Sequence, residues 1–214
     1  MGTKEDLLNA IIDLDEDKSY NLVQKLIEEA VNPVDIIETL RKGVEVIGDK
    51  FSNREYFLAE LVMAGEIFSQ SAEILGPHMK KVTEGIDNLE TIVIGTVKGD
   101  VHDIGKNIFV TLLKSAGYNV IDLGVDIPPD KFVGKVKETG AKVVAYSGLL
   151  TVALESMNAT TKALEAAGLR QNLKIIIGGL PVDELWMKEA GADAFTDNAF
   201  EGVKIVNKWL RGVA

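Results

Sequence analysis

The sequence predicts an α/β protein in two parts, a four-helix bundle followed by a doubly wound, five-stranded parallel sheet. Apolar residues recur at helical spacing from Lys4 to about Met79, whereas short β-branched runs alternate with helical stretches from Thr91 onward. The intervening segment is polar, contains glycine and has few large apolar side chains. We therefore expect a helical domain at residues 1–80, a linker at 81–90 and a second domain at 91–214.

Four helices fit the first domain. Asn32 and Pro33 predict a helix start, since Asn is a favoured N-cap and Pro is favoured at the first helical position. A fourth helix is predicted from residue 54 to residue 75. The apolar positions of the first two helices are Leu7, Leu8, Ile11, Ile12, Leu22, Val23, Leu26, Ile27 and Ala30.

Five strands are predicted in the second domain, at residues 92–97, 120–123, 143–147, 174–177 and 192–196. Helical stretches separate them, so the strands should be parallel with right-handed crossovers. Their nearly continuous apolar character is typical of strands covered on both faces. The fold that results is flavodoxin-like (Rossmann-like), with strand order 2-1-3-4-5. Ligands of such sheets bind beyond the carboxyl ends of the strands.

Composition and charge limit the function classes. The 214 residues include 46% hydrophobic and 26% charged residues, which is ordinary for a soluble globular protein. The chain has no cysteine, which excludes disulfides, zinc–thiolate clusters, iron–sulfur centres and thiol nucleophiles. A net charge of −10 opposes binding to nucleic acid or anionic lipid. No apolar run approaches the roughly 20 residues that cross a bilayer. We expect a cytoplasmic protein that binds neither nucleic acid nor membrane.

The loop after the first strand carries an Asp-x-His-x-x-Gly pattern formed by Asp100, His102 and Gly105. A carboxylate that orients one ring nitrogen of a histidine leaves the other nitrogen free to bind a metal. A glycine lets a bulky ligand approach the backbone. This loop is therefore the first candidate for a metal-containing ligand.

Two more loops follow predicted strands. Residues 147–151 offer the hydroxyls of Ser147 and Thr151, and Gly178 with Gly179 offers a backbone free of side chains. In the predicted order the three preceding strands are neighbours, so their loops should lie along one rim. One large ligand could contact all three loops.

These loops behind a helical bundle resemble the cobalamin-binding fold shared by methionine synthase and the corrinoid proteins of methyltransferase systems. The resemblance covers nearly the whole chain, and the layout is most similar to free-standing corrinoid proteins that serve methanol, methylamine, methoxyarene or betaine methyltransferases. It implies a bound cobalamin whose dimethylbenzimidazole tail lies beside the sheet, with His102 replacing that base as the lower cobalt ligand. Asp100 would hydrogen-bond the other nitrogen of His102, and these two are the implied catalytic residues. The implied cofactor-binding residues are Asp100, Val101, His102, Asp103, Ile104, Gly105, Ser147, Leu149, Thr151, Gly178, Gly179, Phe57 and Met63.

The resemblance implies a methyl carrier rather than a complete enzyme. Cobalt(I) would accept a methyl group from a substrate:corrinoid methyltransferase. Methyl-cobalt(III) would then pass it to a second methyltransferase acting on tetrahydrofolate or coenzyme M, and a reductive activase would be a further partner. The helix that includes Phe57 and Met63 resembles the family's cap over the methyl-bearing face of the corrin. That cap must swing aside for partners, with residues 80–90 as the hinge.

One position departs from the family pattern. In methionine synthase a hydroxyl residue extends the Asp–His pair, and Ala153 stands at that position here. A proton relay beyond Asp100 therefore does not follow from the resemblance. His78, after a Gly-Pro at a predicted helix end, is interpreted as a solvated residue without a chemical role.

Three other functions share part of this pattern. A cobalamin-dependent mutase subunit uses the same loop but needs a barrel domain, which these residues do not contain. Another chain could supply that domain, although the helical cap favours methyl transfer. A cobalamin-based sensor usually adds a DNA-binding segment, whereas this chain is acidic throughout. A response-regulator domain would carry an acidic residue at the end of its third strand, where this chain has Ser147.

Overall fold

A computed structural model describes residues 3–79 and 90–212 of the chain. The chain divides into two compact units, Met1–Asn88 and Leu89–Ala214. Of the predicted linker and hinge, residues 80–89 lie outside the described residues. Within the described ranges, no helix has both the length and the apolar character that crossing a membrane would require.

The first unit contains the four predicted helices, α1 (Lys4–Ile12), α2 (Glu16–Glu28), α3 (Pro33–Ser52) and α4 (Leu58–Met79). Side-chain oxygens of Thr3, Asp15 and Asn32 accept backbone N–H groups at the starts of the first three helices, which satisfies donors that a helix leaves free. The apolar faces meet in a core that includes Leu7, Ile11, Val23, Leu26, Ile36, Leu40, Ile47, Leu61, Ile67 and Leu75.

Helix α4 begins four residues later than predicted, and it also ends later. Arg54 adopts a left-handed conformation with φ of 63°, which a helix cannot include. The Glu60 side chain accepts the backbone N–H of Phe57 at 2.9 Å, just before the first helical residue. At the other end the helix continues through Pro77. His78 therefore lies in the exposed last turn of α4 instead of after it.

The second unit is a parallel sheet of β1 (Thr91–Thr96), β2 (Asn119–Asp122), β3 (Val143–Ser147), β4 (Lys174–Gly178) and β5 (Ala194–Thr196) in the order β2-β1-β3-β4-β5. This order confirms the predicted flavodoxin-like class. The surrounding helices are α5 (Ile104–Ser115), α6 (Pro129–Thr139), α7 (Val152–Ala166), α8 (Glu184–Glu189) and α9 (Ala199–Arg211). Helix α5 packs with α9, and α6 packs with α7.

The fifth strand is shorter than predicted because Asp193 uses its side chain to hold the neighbouring strand. Its carboxylate accepts the backbone N–H of Ile175 at 2.7 Å, which replaces a backbone acceptor of the sheet. Regular pairing between β4 and β5 begins only at Ile176 and Ala194.

The carboxyl ends of β1, β3 and β4 lie side by side. Thr96 pairs with Ser147 across β1 and β3, and Ser147 pairs with Gly178 across β3 and β4. The three loops that follow these strands therefore start at one edge of the sheet.

Candidate cofactor site

The loop between β1 and α5 places the His102 ring beside the carboxylate of Asp100. Asp100 is fully buried, whereas the His102 side chain is 49% exposed. Nδ1 of His102 lies 2.8 Å from Oδ1 of Asp100, and the same oxygen accepts the His102 backbone N–H at 2.9 Å. A carboxylate at this distance holds the Nδ1 proton, so Nε2 is the ring nitrogen that can bind a ligand.

The second carboxylate oxygen of Asp100 connects this loop to the loop after β3. Oδ2 accepts the backbone N–H groups of Leu149 at 2.6 Å and Leu150 at 2.9 Å. Burial raises the pKa of Asp100, but the hydrogen bonds from His102, Leu150 and Leu149 outweigh it and lower the pKa to about 2. Asp100 is thus a permanently ionised anchor at neutral pH.

The N–H groups of Leu149 and Leu150 take the place of the hydroxyl that Ala153 lacks. Ala153 is buried on α7 and brings no hydroxyl to the carboxylate. Asp100 still has two donors on each of its oxygens. The backbone of the second loop therefore satisfies the oxygen that faces away from His102.

The third loop reaches the second through direct contact between backbones. Gly179 has φ of 143°, and a Cβ built on it would overlap the carbonyl oxygen of Gly148. A side chain at this position would push the two loops apart. By contrast, a Cβ on Gly178 would lie an ordinary 3.5 Å from the Thr196 carbonyl oxygen. Gly179 therefore has a structural reason of its own to be glycine.

The structure corrects the placement of two predicted residues. Ile104 and Gly105 form the first turn of α5 and are not part of the preceding loop. Among the described residues, no atom beyond the chain neighbours and the backbone of α5 itself lies within 4 Å of a Cβ built on Gly105, so the space beside it is open. Val101 and Asp103 are exposed in the loop just before α5.

The other predicted residues fall into two groups. Ser147 and Leu149 are half-buried at the end of β3 and just beyond it, and Thr151 is the exposed residue before α7. Phe57 and Met63 belong to the helical unit, where Phe57 is 77% exposed ahead of α4 and Met63 is 40% exposed on it. The structure thus brings the residues of the three loops to one edge of the sheet and places Phe57 and Met63 in the other unit.

Exposed apolar side chains lie on or beside all three loops. Val101 and Ile104 are 66% and 75% exposed on either side of His102 in sequence, and Leu150 and Leu180 extend from the other two loops. Exposed apolar groups that follow the same strand ends are typical of a binding site for a ligand with apolar faces. Together with the free Nε2 and the open space at Gly105, they fit a bulky cofactor that contains a metal.

Sequence reasoning missed two supports of this site. One is the backbone N–H of Leu150, for which a sequence pattern gives no signal because any residue could supply it. The other is Lys106, a buried lysine that pairs with Asp122 at 2.5 Å and ties the start of α5 to the end of β2. The sequence could have indicated Lys106, because it is a charged residue at a helical position that faces the core.

Fold and site together define a cofactor-binding protein of the doubly wound α/β class, and comparison with known proteins gives its family. Two models described as B12 binding domains match residues 3–76 and 90–204. A corrinoid protein of Desulfitobacterium hafniense (strain Y51) is 39% identical over 213 residues, 98% of each chain. The trimethylamine corrinoid protein of Methanosarcina barkeri is 35% identical, covering 98% of this chain and 99% of that protein. The chain belongs to the B12-binding corrinoid proteins, and cobalamin is its cofactor.

Solved structures agree with this assignment. A cobalamin-binding protein from Desulfitobacterium hafniense DCB-2 superposes with a TM-score of 0.81 at 40% identity, covering 97% of this chain and 98% of that chain. A chain in the methanol:cobalamin methyltransferase complex of Methanosarcina barkeri superposes with a TM-score of 0.81 at 25% identity, covering 99% of this chain and 80% of that chain. The similarity extends over both the helical and the sheet-containing parts.

Proposed function

We propose that the protein is a corrinoid methyl carrier in which His102 is the lower ligand to the cobalt of bound cobalamin. The observation that carries this proposal is the pairing of a half-exposed imidazole with a buried carboxylate, 2.8 Å from Nδ1 to Oδ1. When bound, cobalamin supplies a cobalt atom that takes up and gives up a methyl group.

Asp100 orients the imidazole and raises its basicity. Its pKa of about 2 keeps the carboxylate negative at neutral pH, so it attracts the Nδ1 proton and increases the electron density of the ring. The four hydrogen bonds to its oxygens hold it still. Asp100 thus fixes both the tautomer and the direction of Nε2.

The loops at the sheet edge would hold the remainder of the cofactor. We assign this role to Gly105, Ser147, Leu149, Thr151, Gly178 and Gly179, with Val101, Asp103 and Ile104 beside the histidine. The open space at Gly105 and the alignment of Ser147 with Gly178 support the assignment.

Phe57 and Met63 would cover the opposite, methyl-bearing face. Phe57 is 77% exposed, and a large apolar side chain in that position gains free energy when something covers it. A cover of this kind excludes water from the transferred group and must open for each partner.

Two methyltransferases in turn and a reductive activase are the partners that this role requires. The chain in the methanol:cobalamin methyltransferase complex and the trimethylamine corrinoid protein both resemble this chain over most of its length, which favours a carrier over a mutase subunit or a sensor. We propose a small methylated compound as donor, tetrahydrofolate or coenzyme M as acceptor, and the cytoplasm as the compartment, because low-valent cobalt needs reducing conditions.

Methyl loading tests the carrier role. Protein reconstituted with hydroxocobalamin, reduced and treated with radiolabelled methyl iodide should retain stoichiometric label through desalting. It should release that label to a corrinoid-dependent methyltransferase supplied with tetrahydrofolate or coenzyme M. Cofactor retention without transfer to either acceptor would contradict the carrier role and favour a sensor.

A further inference from the structure

The histidine loop, which we define as residues 97–103, is held by a neighbouring segment outside the three loops described above. This segment, residues 124–127, follows β2. The backbone N–H of Thr96 donates to the Gly124 carbonyl at 2.9 Å, and the N–H of Ile127 donates to the Thr96 carbonyl at 3.0 Å. The segment therefore runs alongside the end of β1, immediately before the histidine loop.

Asp126 makes the contacts that reach the histidine loop itself. Its Oδ1 accepts the backbone N–H of Gly99 at 2.7 Å, and its own backbone N–H donates to the Asp100 carbonyl at 3.0 Å. Asp126 therefore hydrogen-bonds two successive residues, Gly99 and Asp100, and the carboxylate of Asp100 orients His102.

Asp126 accepts an unusual backbone conformation to do this. Its φ is 55°, in the left-handed region that most L-residues avoid and that Asp and Asn tolerate better. Such a conformation persists where the surrounding contacts hold it, and the two hydrogen bonds to Gly99 and Asp100 are contacts of that kind.

Two hydroxyls complete the set of restraints. Ser156, one turn beyond Ala153 on α7, donates its hydroxyl to the Lys98 carbonyl at 2.7 Å. Thr96, fully buried, donates its hydroxyl to the His102 carbonyl at 3.0 Å. Backbone groups of Lys98, Gly99, Asp100 and His102 thus have partners outside the loop.

We propose that Asp126 is a positioning residue for the cobalt ligand. Through Gly99 and Asp100 it fixes the position and direction of the His102 ring. The inference rests on the proposed function, since it concerns how His102 meets the cofactor. A histidine that is already held in place before the cofactor binds loses less conformational entropy when it coordinates the cobalt. Loosening the loop therefore weakens that coordination. Asp126 does not touch the cofactor in this role.

Two substitutions separate the side chain from the backbone conformation. Asp126→Gly removes the carboxylate and suits the positive φ, whereas Asp126→Asn keeps an oxygen acceptor and tolerates that φ. The matched control is Asp193→Ala, because Asp193 also accepts a backbone N–H, that of Ile175, but before β5 at the opposite end of the sheet. The control should lose stability without changing His102 coordination.

The readout in the full-length protein, made with ¹⁵N-labelled histidine and loaded with cobalamin, is the ratio of histidine-coordinated to other cob(II)alamin. It is taken from the ¹⁵N splitting in the electron paramagnetic resonance spectrum, which separates histidine from the cofactor's own benzimidazole nitrogen. We expect Asp126→Gly to lower that ratio roughly three- to tenfold, the effect of losing one hydrogen bond. Asp126→Asn should restore it to within about twofold. In the cofactor-free protein, amide exchange at Gly99 should accelerate in the Gly variant only.

The outcomes separate the positioning role from the proposed function. Nitrogen splitting in the wild type with an unchanged ratio in Asp126→Gly would overturn the positioning role alone. An equal loss in the Asn and Gly variants would also overturn it, because the retained oxygen would then have no effect. A wild type that binds cobalamin without histidine nitrogen would overturn the assignment of His102, while Gly99 exchange would still report whether Asp126 holds the loop.

Discussion

Asp100 is fully buried and accepts four hydrogen bonds, two on each oxygen, so both oxygens need to be acceptors. Asp100→Asn replaces one of these oxygens with an amide N–H₂ group, which is itself a donor and cannot accept the two hydrogen bonds made there. We expect a loss of about 1–3 kcal/mol in the free energy of unfolding of the cofactor-free protein, measured with urea. Asp103→Asn, an exposed carboxylate of the same loop, should cost less than about 0.5 kcal/mol. Equal losses in the two variants would contradict the anchoring role of Asp100.

The same carboxylate makes stability depend on pH in the acid range. The pKa of Asp100 is lowered from 3.8 in the unfolded chain to about 2 in the folded protein, so the unfolded state binds the proton more readily. The contribution, on the order of 2 kcal/mol, is therefore fully present above about pH 4 and disappears as the pH falls toward 2. The difference in unfolding free energy between the wild type and Asp100→Asn should shrink over that interval. A constant difference would contradict the lowered pKa.

At the scale of elements, the contact between the second and third loops depends on Gly179. In Gly179→Ala the added methyl group overlaps the Gly148 carbonyl oxygen, and alanine is also strained at the φ of 143° that this position requires. We expect this substitution to lower the free energy of unfolding by roughly 2–4 kcal/mol. The adjacent Gly178→Ala meets its nearest atom at 3.5 Å and should cost less than about 1 kcal/mol. Thermal or urea unfolding of both variants measures the difference. Similar losses of unfolding free energy in the two variants would contradict the role given to Gly179.

The first turn of α5 offers the opposite case, a glycine that the protein itself does not require. A methyl group on Gly105 meets no described residue beyond its own helix, so Gly105→Ala should leave the unfolding free energy unchanged or raise it by up to about 1 kcal/mol. If the cofactor packs there, cobalamin affinity should fall about tenfold, since overfilling a packed contact costs 1–3 kcal/mol. Gly134→Ala on α6, equally open, is the control and should bind cobalamin normally. Unaltered affinity in Gly105→Ala would remove Gly105 from the site.

Element-level prediction from sequence succeeded where periodicity and strand-end loops carry the information. The β-branched runs and the helices between them indicated the flavodoxin-like class, and the strand order of that class made the three loops neighbours. Boundaries failed where a side chain, and not a backbone carbonyl, accepts a backbone N–H at the end of an element. Glu60 does so for Phe57 at the start of α4, and Asp193 does so for Ile175 beside β5. The restraint of Gly99 by Asp126, 27 residues away, depends on tertiary contact and left no local pattern.

At the scale of the whole molecule, the charge is uneven between its two units. Residues 1–88 carry 18 acidic and 9 basic side chains, whereas residues 89–214 carry 15 and 14, so most of the net charge of −10 belongs to the helical unit. The nearly neutral unit is the one that holds the Asp100–His102 pair. The proposed carrier function depends most on this pair.

The visible spectrum of the full-length protein reconstituted with hydroxocobalamin and desalted, compared with that of His102→Ala, tests this dependence most directly. The chain has two histidines, and His78→Ala, in the exposed last turn of α4, is the matched control. We expect stoichiometric corrinoid with its benzimidazole displaced in the wild type and in His78→Ala, and an altered spectrum in His102→Ala alone. A wild type whose spectrum is identical to that of His102→Ala would contradict the assignment of His102 as the cobalt ligand.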